Sequence, residues 1–468
     1  MISARVVVLG GGPGGYAAAF LAADLGLETV VIDEGTALGG VCLNRGCIPS
    51  KALLHLARVI NDAADSGQHG VRFGAPEVDL ARVRAWKDEV VEKLTGGLKE
   101  MAGARKVNWV RGRGKFAGSG KLVVEGTGEI GYENAIIATG SLPQIPPLFR
   151  TGDKRIWDST AALALTDLPK KLLVVGGGYI GLELGSVYAA LGSKVTVVEM
   201  TPGLLPGADP DLVRPLAARL AGKFESIMLS TKVTGLAEGE GGRLRVTLES
   251  PTGAVSTGDF DRILVSAGRR PNTTDLGLET VGLLAEADGF IKSAASRKTS
   301  AGGIYVIGDA AGQPMLAHKA AHEARVAVEC ITGHDAVFAP RAIPAVVFTD
   351  PEIAWCGLTE PQARAEGRTV KVARFPWAAS GRAATLGRTE GLTKLVVDPE
   401  TERILGVGIV GAGAGELISE GVLAMETGAT VSDLALTIHP HPTLSETLME
   451  SAEVYHGLST HLLRPRKG

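Results

Sequence analysis

Two cysteines in the segment GGVCLNRGCIPSKALLH have the spacing of a redox pair. Cys42 and Cys47 are separated by four residues, and Pro49 and Ser50 open an amphipathic helix directly after them. Cys47 therefore precedes a helix N-terminus, where the positive end of the helix dipole lowers a thiol pKa and makes the thiolate a good leaving group. We predict that Cys42 and Cys47 form a catalytic disulphide.

Two other roles for these cysteines are weaker. A stabilising disulphide gains little from so short a ring, because the entropy of loop closure grows with loop length. A zinc site needs a second pair of Cys or His ligands, whereas Cys330 and Cys356 each stand alone and are expected to be buried small hydrophobic residues. We therefore predict no metal site.

Lys51 and Glu183 form a second candidate pair. Lys51 lies in the first turn after the cysteines, and Glu183 lies on a helix face that is otherwise apolar, from Gly181 to Gly185. A buried carboxylate requires a cation, and Lys51 is the candidate. The alternatives are a solvated lysine and a glutamate that complements a helix dipole.

A candidate general base lies near the C-terminus, in IHPHPTLSETLMESAE. His439 and His441 alternate with prolines that stiffen the loop, and Glu446 follows at the start of a helix. A histidine whose second nitrogen is held by a carboxylate is a well-oriented base. Either histidine taken alone is equally consistent with a capping role in a rigid loop.

The elements that position these residues include an internal repeat at an offset of 166 residues. RVVVLGGGPGGYAAAFLAADLGLETVVIDE aligns without gaps with KLLVVGGGYIGLELGSVYAALGSKVTVVEM. Each copy predicts a strand, a G-x-G-x-x-G turn, a helix and a second strand, which is the arrangement that binds a dinucleotide pyrophosphate. The glycines are Gly10, Gly12 and Gly15 in the first copy and Gly176, Gly178 and Gly181 in the second.

An acid ends each copy 23 residues after the first glycine, at Asp33 and Glu199. Such an acid accepts hydrogen bonds from a ribose. Glu199 would repel a 2'-phosphate, and no Arg or Lys follows it before Arg214, so the second unit is predicted to bind NAD rather than NADP.

Three further strand-to-turn segments are expected to close the nucleotide sites: IIATGS, LVSAGRRPN and IYVIGDAAG. Asp309 in the third is predicted to bind a ribityl or ribose hydroxyl, to cap the following helix, or to do both. The cofactor site is predicted to include Thr139, Gly140, Gly268, Gly308 and Ala317.

Length and composition limit the class of protein. A chain of 468 residues is too long for one core, and a net charge of -3 gives no field for nucleic acid. We identify no basic run beyond the short tail of Arg464, Arg466 and Lys467. No apolar stretch approaches the roughly 20 residues that span a bilayer, and the first strand leaves no room for a leader. We expect no nucleic-acid or membrane partner and a cytoplasmic location.

The predicted fold class is α/β, with two Rossmann-like dinucleotide-binding domains and a C-terminal α+β interface domain. The expected boundaries are 1–147 for the first domain with the cysteine pair, 148–273 for the second, 274–340 for a central segment and 341–468 for the interface domain. In the last domain we predict a mixed sheet with helices on one side. Its strands are expected at Ala345–Thr349, Leu395–Val397 and Leu405–Val410, and a helix at Glu416–Glu426.

The order of these motifs resembles the flavoprotein disulphide reductases over essentially the whole chain, and GCIPSKALLH and HPHPTLSE are similar to the dihydrolipoamide dehydrogenases. The resemblance implies FAD and NAD as cofactors and a homodimer. It implies that Cys42 is the interchange thiol and Cys47 the charge-transfer thiol. It further implies that Lys51 and Glu183 pair beside the flavin N5, that Gly308 and Asp309 hold the ribityl chain, and that the partner subunit donates His441 and Glu446.

Within that family, Glu199 disfavours glutathione reductase, and the lack of C-terminal cysteines disfavours mercuric reductase. The implied reaction is oxidation of dihydrolipoyl groups, with a lipoylated acyltransferase of a 2-oxoacid dehydrogenase complex as partner. A reductase for another disulphide, an NADH oxidase side activity and a non-catalytic flavoprotein remain alternatives. Two departures from the family pattern are Arg45, in place of a small aliphatic residue, and Asp33, where glutamate is commoner.

Overall fold

The computed structural model describes residues 2–463, so the basic tail of Arg464, Arg466 and Lys467 lies outside the described residues. The first part of the chain alternates strands and helices. Its strands are β1 (Ile2–Leu9), β2 (Thr29–Asp33), β3 (Asn108–Arg111), β4 (Gly114–Phe116), β5 (Lys121–Val124), β6 (Gly128–Ile137) and β7 (Ser141–Pro143). Its helices are α1 (Pro13–Asp24), α2 (Gly40–Arg45), α3 (Cys47–Asp65) and α4 (Leu80–Ala104).

The middle of the chain repeats this alternation. Its strands are β8 (Ile156–Trp157), β9 (Lys171–Val175), β10 (Lys194–Val198), β11 (Ser226–Met228), β12 (Lys232–Glu238), β13 (Leu244–Glu249), β14 (Val255–Phe260), β15 (Arg262–Val265) and β16 (Arg269–Pro271). Its helices are α5 (Ser159–Leu163), α6 (Tyr179–Ala190) and α7 (Pro210–Ala221).

The last part begins with β17 (Ile304–Val306) and α8 (Ala317–Ile331). The strands that follow are β18 (Ala345–Val347), β19 (Glu352–Gly357), β20 (Lys371–Pro376), β21 (Leu392–Val397) and β22 (Ile404–Gly411). The helices that follow are α9 (Glu360–Ala365), α10 (Gly381–Thr385), α11 (Ala414–Thr427), α12 (Val431–Leu436) and α13 (Glu446–His456). Short 3₁₀ turns lie at Ser66–His69, Pro147–Phe149, Glu240–Gly242, Leu278–Val281, Gly308–Ala310 and Trp377–Ala379.

Two parallel sheets with the same design confirm the two predicted nucleotide-binding units. In the first sheet β3, β2, β1, β6 and β17 are parallel neighbours, and β4 and β5 extend β6 as an antiparallel meander. In the second, β11, β10, β9, β15 and β8 are parallel, with β12, β13 and β14 forming a separate antiparallel sheet. The central strands are apolar and buried on both faces, as parallel sheets covered by helices require.

The C-terminal sheet differs from the prediction, because it is antiparallel throughout rather than mixed. Its order is β18, β19, β22, β21, β20. The reason is local: the links from β18 to β19 and from β21 to β22 are short turns, whereas neighbouring parallel strands need a crossover of a dozen or more residues. The predicted strands correspond to β18, β21 and β22, and the predicted helix is α11.

The prediction that helices cover one side of this sheet was also wrong. Helices α11 and α13 pack on one face, but α7 from the middle of the chain packs on the other, where Leu212 joins the same buried cluster as Ile353 and Val410. In residues 2–463 no helix is long and apolar enough to cross a membrane.

A buried lysine joins α7 to the C-terminal sheet. Lys394 on β21 is 1% exposed, and its Nζ lies 2.6 Å from Asp209, 2.8 Å from Asp211 and 2.7 Å from Glu360. Arg374 contacts the second and third of these carboxylates from the surface side. Three carboxylates this close together require a cation between them, and Lys394 supplies it.

Replacing Lys394 by methionine is expected to lower the free energy of unfolding by about 3–5 kcal/mol, because it leaves the buried Asp209 carboxylate without its cation. Denaturant unfolding of the FAD-loaded protein measures the change. Lys194→Met is the control, since Lys194 forms only an exposed ion pair with Glu225 and its loss should change stability by less than about 0.5 kcal/mol. Equal effects of the two substitutions would contradict the role of Lys394.

Candidate active site

A cavity of about 620 Å³ opens at the carboxyl ends of the first sheet and holds most of the predicted cofactor and redox residues. Parallel α/β sheets bind ligands at this edge. The predicted residues that line it are Gly10, Gly12, Asp33, Cys42, Cys47, Lys51, Thr139, Gly140, Glu183, Gly308, Asp309 and Ala317. Those that do not line it are Gly15, Gly176, Gly178, Gly181, Glu199, Gly268, His441 and Glu446.

The cysteine pair lies in this cavity as two free thiols, the reduced form of the predicted disulphide. Cys42 is in α2. Helix α3 begins at Cys47, two residues before the predicted start at Pro49. A hydrogen bond from the Cys42 thiol, followed by the charge of Lys51, lowers the pKa of Cys47 to about 7. The same hydrogen bond, together with burial, raises the pKa of Cys42 well above its ordinary value. The pKa of Cys47 is therefore the lower of the two.

The predicted pairing of Lys51 and Glu183 is confirmed. Lys51 Nζ lies 2.9 Å from Glu183 Oε2, and the Glu183 side chain is 4% exposed. The other carboxylate oxygen accepts a hydrogen bond of 2.9 Å from the Phe348 N–H. Lys51 also lies over the Phe348 ring, 4.5 Å from its centroid. The ion pair therefore joins the redox helix α3 to α6 and to the C-terminal domain.

The first glycine loop has the shape that a pyrophosphate needs. Gly10 has φ +105°, and a Cβ there would lie 2.3 Å from the Ala138 carbonyl oxygen. A Cβ on Gly15 would lie 1.8 Å from the Gly10 oxygen, so α1 can approach β1 only because Gly15 has no side chain. Gly12 caps α1 without a side-chain hydrogen bond, which leaves the helix N-terminus open to an anion.

The second glycine loop repeats this geometry. A Cβ on Gly176 would lie 2.5 Å from the Ser266 oxygen, a Cβ on Gly181 would lie 2.2 Å from the Gly176 oxygen, and Gly178 caps α6 with open space beside it. Gly268 has φ +106° in the turn between β15 and β16. The loop is preformed for a second dinucleotide.

The two terminal acids hold the glycine loops. Asp33 accepts hydrogen bonds of 2.6 Å and 2.7 Å from the Gly11 and Gly35 N–H groups. Glu199 accepts the corresponding bonds of 2.6 Å and 2.7 Å from Gly177 and Thr201. Each acid lies beside its glycine loop as predicted, and the contact with a ribose stays a prediction.

Thr139 supports the fit of the cavity to a flavin nucleotide. Its Oγ1 is buried and has no hydrogen-bond partner in the described chain, although the residue lines the cavity. A buried hydroxyl of this kind is normally satisfied, so a polar ligand group is expected there. Gly140 beside it has φ +70°, which keeps the turn free of a side chain.

Asp309 does not cap the following helix, so that alternative was wrong. It lies in the 3₁₀ turn Gly308–Ala310, whereas α8 begins at Ala317 with Leu316 as its cap. Its carboxylate accepts a hydrogen bond from the Ser141 hydroxyl, which also accepts one of 2.8 Å from Arg269. Asp309 therefore lines the cavity and is also connected, through Ser141, to Arg269 at the start of β16.

The candidate base forms the predicted pair with its carboxylate. His441 Nδ1 lies 2.8 Å from Glu446 Oε1, and the other carboxylate oxygen accepts a bond of 2.7 Å from the Thr443 N–H. Partial burial of Glu446 raises its pKa, but these two hydrogen bonds outweigh it and lower the pKa below its ordinary value. The His441 side chain is 74% exposed. His439 instead contacts Glu420 at 2.7 Å and is 5% exposed, so it is the structural histidine of the loop.

A charged cluster that sequence reasoning missed holds the Gly308 turn. Glu323 on α8 is 0% exposed and accepts hydrogen bonds of 2.7 Å from the Gly308 N–H and 2.9 Å from Arg297. Lys319 donates to the carbonyl oxygens of Gly308 and Gly312 at 3.1 Å and 2.9 Å. The available signal was the i,i+4 spacing of Lys319 and Glu323 on a helix face that is otherwise alanine.

Family models and known proteins match this chain over almost its full length. The model described as "Pyridine nucleotide-disulphide oxidoreductase" matches residues 4–324, and the dimerisation domain of the same family matches residues 343–452. This chain belongs to the pyridine nucleotide-disulphide oxidoreductase family. The predictions of family and fold class are confirmed.

Relatives of the chain within this family include curated dihydrolipoyl dehydrogenases. That of Vibrio parahaemolyticus is 50% identical over 98% of this chain and 97% of its own length. That of Thermus scotoductus is 48% identical over 98% of each chain. The solved structure of LpdA from Mycobacterium tuberculosis has a TM-score of 0.87 at 27% identity, covering 97% of this chain and 99% of that one.

A further structural relative is a flavoprotein disulphide reductase, the HOCl-induced protein RclA from Escherichia coli. It has a TM-score of 0.85 at 29% identity, over 97% of this chain and 100% of that one. The chain is therefore an oxidoreductase with FAD and NAD as its cofactors, as predicted. The roles of the individual site residues stay predictions.

The hydrogen bond between the two thiols should control the charge on Cys47. We expect Cys42→Ala to raise the pKa of Cys47 above about 7, because the largest cause of its lowering is removed. Cys42→Ser should raise it less, since a hydroxyl still donates a hydrogen bond. The pH dependence of ultraviolet thiolate absorbance measures the pKa, in a Cys330→Ala background that removes another thiol. An unchanged pKa in Cys42→Ala would assign the effect to Lys51 alone.

Glu323 should affect FAD through the Gly308 turn. Glu323→Gln keeps the size of the side chain but removes the charge that binds Gly308, and loss of a charged hydrogen bond corresponds to about 1.5–3 kcal/mol. We expect the dissociation constant for FAD to rise at least about tenfold. Recovery of flavin fluorescence on release measures it, and circular dichroism reports whether the apoprotein is folded.

The matched control for this substitution is Glu329→Gln on the same helix. Glu329 forms an ion pair with Arg325 near the surface, at 3.7 Å, and does not line the cavity. Its substitution should leave FAD affinity unchanged. If Glu323→Gln bound FAD as tightly as this control, the cluster would have no part in positioning the Gly308 turn.

Proposed function

We propose that this chain acts as a dihydrolipoyl dehydrogenase, in which the Cys42–Cys47 disulphide oxidises a dihydrolipoyl group with NAD as the final acceptor. The observation that carries the proposal is the position of the two thiols in the cofactor cavity, where Cys47 begins α3 and the Lys51–Glu183 ion pair lines the same space. Cys47 has a pKa of about 7, while the pKa of Cys42 is raised. The lower-pKa sulfur is the better leaving group in disulphide exchange, so a substrate thiolate should attack Cys42 and release Cys47.

The reaction then proceeds by two exchanges. His441, oriented by Glu446, takes a proton from the first substrate thiol, and the resulting thiolate forms a bond to Cys42 Sγ while the bond to Cys47 breaks. The second substrate thiol attacks the substrate sulfur bound to Cys42, the bond from that sulfur to Cys42 breaks, and the proton of the attacking thiol passes to the leaving Cys42 sulfur. This step closes the lipoyl disulphide and leaves both cysteines reduced. The substrate has lost two electrons and the enzyme disulphide has gained them.

The first glycine loop, Thr139 and the Gly308 turn would hold FAD, which when bound would supply the chemistry that carries an electron pair from the thiols to NAD as hydride. Cys47 is the thiol suited to face the flavin, because it has the lower pKa. Lys51 and Glu183 act at the same place: the lysine charge lowers the pKa of Cys47, while the charge of Glu183 opposes that effect. The pair thereby sets how readily Cys47 is released.

A homodimer follows from the position of the base. His441 is exposed and does not line the cavity that contains the cysteines in its own chain. The match of residues 343–452 to a dimerisation domain supports the proposal that His441 of one subunit serves the cysteines of the other. The names of the bacterial relatives support a lipoylated acyltransferase of a 2-oxoacid dehydrogenase complex as the partner, and a cytoplasmic location.

An anaerobic titration of the purified flavoprotein tests the proposal. Dihydrolipoamide should produce a long-wavelength band from the Cys47 thiolate beside the flavin, and NAD should remove it. His441→Gln should lower kcat/KM for dihydrolipoamide by a factor of about 10² to 10⁴, the usual contribution of a positioned base. His334→Gln is the control, because His334 is exposed, contacts the Thr332 hydroxyl just beyond α8 and does not line the cavity, so its loss should leave the rate unchanged.

The result has two contrary outcomes. If the flavoprotein exchanges electrons with other disulphides or dithiols but not with dihydrolipoamide, the thiol chemistry would stand. The proposed substrate would then be rejected. Equal rates for the His441 and His334 variants would reject the proposed base.

A further inference from the structure

A second cavity of about 830 Å³ lies on the C-terminal domain and shares no lining residue with the redox cavity. It is more open to solvent than the redox cavity. Its lining includes the apolar residues Ile343, Leu358, Leu405 and Met425. It also includes three arginines, Arg341, Arg368 and Arg403.

Two of these guanidinium groups lie close together. A Cβ built on Gly428 would lie 2.4 Å from Arg403 Nη1 and 2.6 Å from Arg341 Nη1. The separation of the two nitrogens therefore cannot exceed the sum of these two distances. Like charges at this separation repel each other unless an anion lies between them.

The described chain does not supply that anion. None of the ion pairs within residues 2–463 involves the Arg341, Arg368 or Arg403 side chains, although the charge of Asp398 interacts with that of Arg368 at longer range. Glu426 uses Oε1 to accept hydrogen bonds from the Arg341 and Ala342 N–H groups. Among the residues that line the cavity, Glu366 is the single acid against three arginines. The lining of this cavity therefore has a net positive charge.

The C-terminal end of helix α11 explains the position of Arg403 but not that of Arg341. Arg403 Nη1 donates a hydrogen bond of 2.7 Å to the Gly428 carbonyl oxygen, just beyond the last turn of α11. A cation there complements the negative end of the helix dipole. The Arg341 guanidinium has no such acceptor among residues 2–463, and it adds a second charge at the same place.

We propose that this cavity is a binding site for a small organic anion. A phosphate or carboxylate group would lie between Arg341 and Arg403, where guanidinium groups bind such oxygens through paired hydrogen bonds. An apolar body would lie against Leu358, Leu405 and Met425. The site is separate from the redox chemistry, so the inference does not depend on the proposed substrate.

Calorimetric titration of the FAD-loaded protein tests this inference, with saturating NAD present to occupy the glycine loops. The probes are butyl phosphate, pentanoate and inorganic phosphate. We expect butyl phosphate or pentanoate to bind with millimolar or better affinity, and whichever binds more tightly identifies the headgroup. Inorganic phosphate should bind more weakly, because it has no apolar body.

The variant Arg341→Gln with Arg403→Gln should weaken binding of the better probe at least tenfold. Arg325→Gln is the matched control, since this exposed arginine lies on α8 outside the cavity and pairs with Glu329. It should leave binding unchanged. No binding of any probe, or equal binding by the double variant and the control, would overturn the site. Equal affinity for inorganic and butyl phosphate would overturn the apolar part of the proposal.

Discussion

The active site depends on one ion pair, between Lys51 and Glu183. Glu183 is 4% exposed, and such a buried carboxylate is strongly unfavourable without a cation and hydrogen bonds. Its two oxygens bind Lys51 of the redox helix and the Phe348 N–H of the C-terminal domain, while its own helix carries the second glycine loop. Neither helix can shift relative to the other without breaking this pair, so it fixes the cysteines, the cofactor cavity and the second nucleotide unit relative to one another.

The same pair contributes to the chemistry, because its charges lie beside the thiols. The Lys51 charge lowers the pKa of Cys47 and the Glu183 charge raises it, and the hydrogen bond from Cys42 is the larger effect. Two chemically identical thiols thereby acquire different roles through their surroundings alone. In the proposed reaction, Cys42 is therefore the sulfur of the disulphide that is attacked, and Cys47 is the sulfur that leaves. The direction of exchange is therefore a property of the folded site rather than of the cysteines.

The sequence predicted those parts of the fold and site that depend on local patterns. Gly10, Gly15, Gly176 and Gly181 are required where backbone approaches backbone, and a spacing rule detects them. Lys51 and Glu183 could be paired because a carboxylate on an apolar helix face needs a cation. The antiparallel C-terminal sheet was missed because its strand order depends on which turns are short. The position of α7 on its other face depends on contacts between distant parts of the chain.

The buried charges that sequence reasoning missed have the same explanation. Glu323 and Lys394 lie on a helix and a strand whose local patterns fit surface positions as well as buried ones, and only the packing of distant elements shows that they are buried. Both then act at junctions: Glu323 holds the Gly308 turn that lines the cavity, and Lys394 holds α7 to the C-terminal sheet. Because a buried charge is tolerated only with its partners in place, each constrains the domain arrangement more narrowly than an apolar contact of similar size. The alignment of the cysteines with both nucleotide units therefore rests on these long-range ion pairs as much as on the hydrophobic cores.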